Sequence, residues 1–313
     1  MTGSSCSADS ALVGEQLAGS APQALGWVAL EQSGPWGAKA FTASHLDPEL
    51  GRAIEAVAAE HDVRPVLVRR PGRHADEHVD HDHDARRLLV AHTRPGATWL
   101  LSGTIAAPED VLALDWAAVR DGDQEAVRRS LPSLVPVDRA QLLVCTNGTR
   151  DVCCAVEGRP VAIGAAAAHT GRVWEVTHTS GHRFAPTAVL LPAGTLHGRL
   201  DVDGASALLA AADRGETVVS GSRGRSTWSG PAQVAELLVR EATAEVSLDA
   251  LAVPACETDG DQAWTATVTH ADGRRWQVRV VSEPTDVERR ESCLKGPVGL
   301  RRWTAAVTES ALR

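Results

Sequence analysis

Apolar and polar positions along this chain fall into short β-like runs separated by stretches with helical spacing. Gly26–Glu31 (GWVALE) reads as a strand, and Asp47–His61 places Leu50, Ile54, Val57 and Ala58 on one helical face. Arg64–Arg70 predicts a second strand. Arg87–His92 and Thr98–Gly103 predict a hairpin around Arg94-Pro-Gly, and Leu112–Ser130 predicts a helix. A proline-containing linker, Leu131–Pro136, follows, and the pattern then resumes. Gln141–Cys145 reads as a buried strand, 155–168 as an alanine-rich helix that Pro160 should delay or kink, and Arg172–Thr177 as the next strand. Ala188–Leu191 and Thr195–Leu200 flank Pro192-Ala-Gly as a second hairpin, and Asp203–Arg214 closes the unit as a helix. Gly230–Thr243 predicts an amphipathic helix carrying Val234, Leu237 and Leu238 on one face. Trp264–Thr269 and Trp276–Val281 flank Ala271-Asp-Gly, a hairpin signal. The tail from Pro284 is charged and carries little pattern.

Chemistry concentrates between residues 145 and 182, CTNGTRDVCCAVEGRPVAIGAAAAHTGRVWEVTHTSGH. Two strands with a helix between them form a parallel β-α-β unit. Its geometry brings the end of the first strand (Cys145), the helix start (Cys153, Cys154) and the residues after the second strand (His178, His182) to one sheet edge. Thiolates with imidazoles are ligands of zinc, or of an iron–sulfur cluster with histidine on one iron. The spacing of Cys145 to Cys153 or Cys154, followed by His178-x3-His182, matches neither a Rieske pairing nor a short-loop zinc finger.

The segments CTNGTRDVCC and HTSGHRFAPT resemble the sucrase/ferredoxin-like family. Fainter echoes stand at SCSADS, LAGSAP, GPWG, RGRS (Arg223–Ser226) and ESC (Cys293). The resemblance implies a thioredoxin-like ferredoxin with a [2Fe–2S] cluster held by two cysteines and two histidines. In that family the second cysteine stands three positions after the aspartate of the RD pair, which corresponds to Cys154, so the implied ligands are Cys145, Cys154, His178 and His182. It also implies a redox role, and an imidazole whose second nitrogen faces water can couple one-electron transfer to a proton. A cis Ala185–Pro186 bond is expected on the same ground.

The element order strand, helix, strand, strand, strand, helix is that of a thioredoxin-like fold, and it occurs twice. The expected class is therefore α/β with two thioredoxin-like units, a degenerate duplication, of which the second is the ferredoxin and carries the ligands. A C-terminal helix and hairpin extend it. The corresponding divisions are a flexible arm (1–22), an N-terminal α/β domain (23–135), the ferredoxin domain (136–245) and the extension (246–313).

At 313 residues the chain is long enough for about two cores. No stretch approaches the roughly 20 apolar residues of a membrane span, and the start lacks the pattern of a signal peptide. A net charge of −9 disfavours nucleic acid or anionic lipid as partner. Six cysteines without an export signal read as thiols or metal ligands, and the expected location is cytoplasmic. With no G-x-G-x-x-G after a strand, electrons would come from an unidentified donor, a flavoprotein reductase being one candidate, and pass to an unidentified acceptor.

Other constellations weigh less. The run His74–His83 offers imidazoles and carboxylates without an apolar frame and reads as a solvated loop. Cys153 and Cys154 together offer a thiol-redox alternative, although Cys153 reads first as a core residue. Cys6 reads as an unstructured thiol, and Cys256 and Cys293 as structural. Arg150 and Arg183 flank ligands and suit cluster neutralisation or docking of an acidic partner. A structural Cys2His2 zinc module is the competing function. A glycosidase, which the word sucrase suggests, would need a carboxylate pair that nothing in the pattern singles out.

Overall fold

A computed structural model describes residues 5–72 and 85–311; the His74–His83 run lies outside them. Two repeats of one β-α-β-β-β pattern build the larger sheet. The first comprises β1 (Gly26–Glu31), α2 (Pro48–Glu60), β2 (Val63–Arg69), β3 (Arg86–His92) and β4 (Trp99–Ile105), after the short N-terminal helix α1 (Cys6–Leu12). Strand β1 pairs with β2 in parallel and with β3 antiparallel, and β3 pairs antiparallel with β4. The second comprises β6 (Gln141–Cys145), α5 (Val152–Ala168), β7 (Val173–Val176), β8 (Ala188–Leu191) and β9 (Thr195–His197), with the same three pairings. Helix α6 (Val202–Asp213) follows it, and strands β5 (Val135–Pro136) and β10 (Ser222–Arg225) add to the two outer edges.

The two repeats share one ten-stranded α/β sheet, because β2 pairs antiparallel with β7. At that seam Arg69 meets Glu175 at 2.8 Å with both side chains nearly excluded from water, and Glu175 also accepts from Thr146 Oγ1 at 2.9 Å. The second hydrogen bond matters because a buried pair stabilises only when its remaining lone pairs are occupied. The sheet is apolar on both faces, as strands covered on both sides require. In β1, Val28 and Leu30 face the core under α2, while Trp27 and Ala29 face a second core that runs under both repeats to Leu143, Cys145, Cys154 and Trp174.

Three sequence expectations change. The helix expected over Leu112–Ser130 is split into a 3-10 turn (Pro108–Ala113), α3 (Trp116–Asp121) and α4 (Gln124–Ser130). Gly122, at φ 86°, ends α3 in the left-handed conformation, and Asp115 and Asp123 cap the starts of α3 and α4. Helix α5 begins at Val152, not near Pro160, because Asp151 caps it by accepting from Cys153 N at 3.2 Å. The hydrogen bond that Pro160 forfeits would fall to the carbonyl of Val156, on a helix face exposed to water.

The first residues also depart from the expected arm. Ser5 caps α1, Cys6 is fully buried, and Glu15 beyond it is buried between two arginines, Arg183 and Arg289, at 2.8 Å each. Burial by itself would raise the Glu15 carboxyl, but the hydrogen bonds and charge of Arg289 and Arg183 hold it below the usual range. The segment is ordered by contacts with residues far along the chain, which local pattern does not register.

Beyond α7 (Gly230–Thr243), a second sheet of four antiparallel strands runs β11 (Leu251–Thr258), β12 (Ala263–His270), β13 (Arg275–Arg290) and β14 (Pro297–Ala311). Helix α7 buries Val234, Ala235 and Val239 against it. The charged tail is thus β-structure. Its strands β13 and β14 form a long hairpin whose tip, residues 291–296, returns to α1. Ala185–Pro186 is cis, as expected.

Candidate metal centre

Register places the expected ligands at one edge. In the parallel pair β6–β7, Cys145 lies opposite Val176, so Cys145 and His178, two residues past β7, leave the sheet at the same end. Helix α5 starts beside them and is seated by Gly158, where a Cβ would stand 2.2 Å from the carbonyl oxygen of Cys145. Gly158→Ala is therefore expected to push α5 off the strand and to cost about 2 kcal/mol by overpacking. Urea denaturation checks this, and a loss below about 0.5 kcal/mol would show that the helix yields freely.

Cys145 and Cys154 are both 1 % exposed and share the core under both repeats. Hydrogen bonding with Cys154, and then with His178, holds the Cys145 thiol well below its ordinary range, while the interaction with Cys145 and burial push Cys154 up. The rings of His178 and His182 lie 5.9 Å apart, nearly stacked at 29°. Nδ1 of His178 and both ring nitrogens of His182 are buried without a hydrogen-bond partner. Burial lowers His182 below the usual imidazole range despite Asp151, whose Oδ2 lies 3.7 Å from Nε2.

Two arginines fix the loop between the histidines. Arg223, wholly buried, donates to the carbonyls of Ser180 (2.9 Å), Thr179 (3.4 Å) and Ser20 (2.5 Å) and to Ser20 Oγ (3.1 Å). Burial without a carboxylate partner lowers its guanidinium to about 9. Arg64 reaches Ser180 Oγ at 3.1 Å and the His178 carbonyl at 3.4 Å. Gly181 takes φ 67°, and a Cβ there would lie 2.4 Å from Arg223 Nη2. Neither arginine stands out as a site residue in the sequence, where the RGRS echo containing Arg223 is the available signal. Of the two arginines that flank expected ligands in sequence, Arg183 is engaged by Glu15 and Arg150 is exposed.

The sucrase/ferredoxin-like profile matches residues 17–224, about two thirds of the chain. The chain belongs to the sucrase/ferredoxin-like family. No curated protein and no solved structure matches it. The family match takes in both repeats and all of Cys145, Cys154, His178 and His182. It leaves out Cys6 and the whole second sheet with Cys293.

These outlying cysteines correct the reading of them as isolated thiols. Among the described residues, the donors close enough to surround one metal ion are Cys6, Asp151, Cys153 and Cys293, with ligand atoms all within 4.8 Å of one another. The sulfurs are 3.5 Å (Cys6–Cys153), 3.1 Å (Cys153–Cys293) and 3.6 Å (Cys6–Cys293) apart, and all are free thiols. Cys145, Cys154, His178 and His182 do not gather that tightly. Successive helical residues point about 100° apart, so Cys154 faces Cys145 while Cys153 faces Cys6 and Cys293. The vicinal cysteines thus belong to two neighbouring donor groups, which meet at Asp151. Cys256 stands apart on β11, packed against the C-terminal core. No helix among the described residues is long and apolar enough to cross a membrane.

Proposed function

We propose that this protein carries electrons through a [2Fe–2S] cluster, with Cys145 and Cys154 on one iron and His178 and His182 on the other. The observation that supports this most is the meeting of two buried thiols with two imidazoles, each of which holds a buried ring nitrogen without a hydrogen-bond partner. Buried polar atoms are ordinarily satisfied, and a nitrogen left bare is explained when its lone pair is a ligand. A two-iron cluster places its two donor pairs on separate metals, so the pairs need not crowd around one point as ligands of a single ion must. When bound, such a cluster supplies one-electron transfer at a potential raised by histidine in place of thiolate.

The chain's own residues prepare the site for that group. Arg64 and Arg223 pin the 178–182 loop and bring positive charge to Cys145, offsetting the charge of deprotonated sulfur. Burial keeps His182 neutral, with a lone pair free to coordinate. His178 and His182 are only half-buried, so the edge that carries them is where a redox partner would approach, the donor being a flavoprotein reductase or a protein of similar chemistry. The doubled β-α-β-β-β order, with strands arranged β4-β3-β1-β2 and β9-β8-β6-β7, supports reading both repeats as thioredoxin-like.

Purification without oxygen, followed by iron and acid-labile sulfide analysis and visible spectroscopy, tests the proposal. The expected product is red-brown, with about two iron and two sulfide per chain and an electron-paramagnetic signal on one-electron reduction. A colourless protein without iron after reconstitution, or one whose Cys145 and Cys154 hold zinc, overturns it.

A further inference from the structure

We infer a second, separate metal site: a structural zinc ion bound by Cys6, Cys153 and Cys293 through sulfur and by Asp151 through oxygen. Three segments remote in sequence deliver these ligands. Cys6 opens α1, Asp151 and Cys153 stand at the start of α5, and Cys293 sits in the tip of the β13–β14 hairpin. A tetrahedral zinc with Zn–S distances of about 2.3 Å separates its sulfurs by roughly 3.8 Å. The observed 3.1–3.6 Å falls a few tenths of an ångström short, and Asp151 Oδ1 lies 3.6 Å from Cys6 Sγ. A disulfide at about 2.05 Å could join two of these sulfurs and would leave the third thiol and the carboxylate unexplained.

The surroundings are those of a metal-ligand shell. Ser7 Oγ donates to Cys153 Sγ at 3.2 Å and the Cys6 amide to Cys293 Sγ at 3.4 Å. Asp151 Oδ2 accepts from the Cys293 amide at 2.9 Å and from Ser292 Oγ at 3.0 Å. Such outer contacts orient ligands and disperse their charge. The N-terminus of α5, a 17-residue helix, adds its positive dipole end. Soft sulfur donors with one carboxylate, all four positions filled by protein, select zinc in a closed structural site over calcium or magnesium. The ion would tie the N-terminal helix and the C-terminal hairpin to the helix that carries Cys154. None of its ligands is shared with the proposed cluster.

Metal analysis of the full chain and of single variants tests this. The wild type, purified in a zinc-containing medium without added chelator, is expected to hold about one zinc per chain. Cys6→Ser and Cys293→Ser are each expected to lower zinc at least about fivefold while iron per chain is unchanged. Cys145→Ser is expected to keep zinc. Cobalt substitution of the wild type should add sulfur-to-cobalt absorption that both serine variants lack, a readout that does not depend on iron. Retained iron and an unchanged circular-dichroism spectrum show that the variants fold. Wild-type protein without zinc after anaerobic incubation with the metal, zinc retained in both serine variants, iron lost with Cys6 or Cys293, or a disulfide among these three cysteines in freshly isolated protein each overturn the inference. Failure of the cluster proposal, seen as wild type without iron, leaves this result readable, because Cys145→Ser then separates zinc in the two sites.

Discussion

Cys145→Ser and Cys154→Ser are each expected to give colourless protein with iron below about a tenth of the wild-type content, whereas Cys153→Ser keeps its iron and visible absorption. The thiolate is the ligand, and a serine hydroxyl is too weakly acidic and too hard to replace it at neutral pH. Cys145 closes a strand buried along its length, and Cys154 faces it from the first turn of α5. Cys153, one residue away, points into the other donor group. Iron and absorbance per chain decide the matter. Bleaching by Cys153→Ser with colour retained in Cys154→Ser would move the ligand by one position, and loss of colour in all three would show that the two donor groups act as one site.

Arg223→Met is expected to cost about 3 kcal/mol of stability and to release the loop that carries both histidines. The variant preserves much of the apolar stem, including its approach to the Phe184 ring, where the guanidinium carbon lies 5.6 Å from the centroid. What it removes is the donor set. The carbonyls of Ser20, Thr179 and Ser180 lose their partner in the interior, and an orphaned buried acceptor costs about 1–3 kcal/mol. At about 1.5 kcal/mol each, the three sum to somewhat more than the expected figure. Part of it should be returned because a buried guanidinium without a carboxylate carries its own desolvation penalty. Urea unfolding monitored by circular dichroism measures the effect, and iron content reports the loop. Stability within about 0.5 kcal/mol of wild type, with full iron, would mean that Arg64 alone holds the 178–182 segment.

Much of the α/β unit around the histidines was legible from local pattern. Strand β6 occupies the residues its apolar run marks, β7 ends just before His178, and the parallel crossover between them follows from chain handedness, so Cys145 and His178 had to leave the sheet at one end. The repeat of β-α-β-β-β, the hairpin about Ala271-Asp-Gly and helix α7 were visible for the same reason: each is set by residues within a few positions of one another. The position of Cys154 was legible from spacing, one residue from an alternative that no local rule distinguishes.

Pairings between distant residues were decided only in three dimensions. No periodicity joins β2 to β7, and the continuous sheet depends on that pairing and on the Arg69–Glu175 bridge across it. Arg64 looks like an ordinary strand charge in sequence and Arg223 stands only in a faint family echo, because their role rests on carbonyls more than 40 residues away. Cys6, Cys153 and Cys293 read as three unrelated thiols for the same reason, separated by 147 and 140 residues yet 3.5 and 3.1 Å apart. A sequence displays the periodicity that puts a side chain on a face, but the meeting of two faces depends on how the intervening chain closes, and that information is spread over the whole fold.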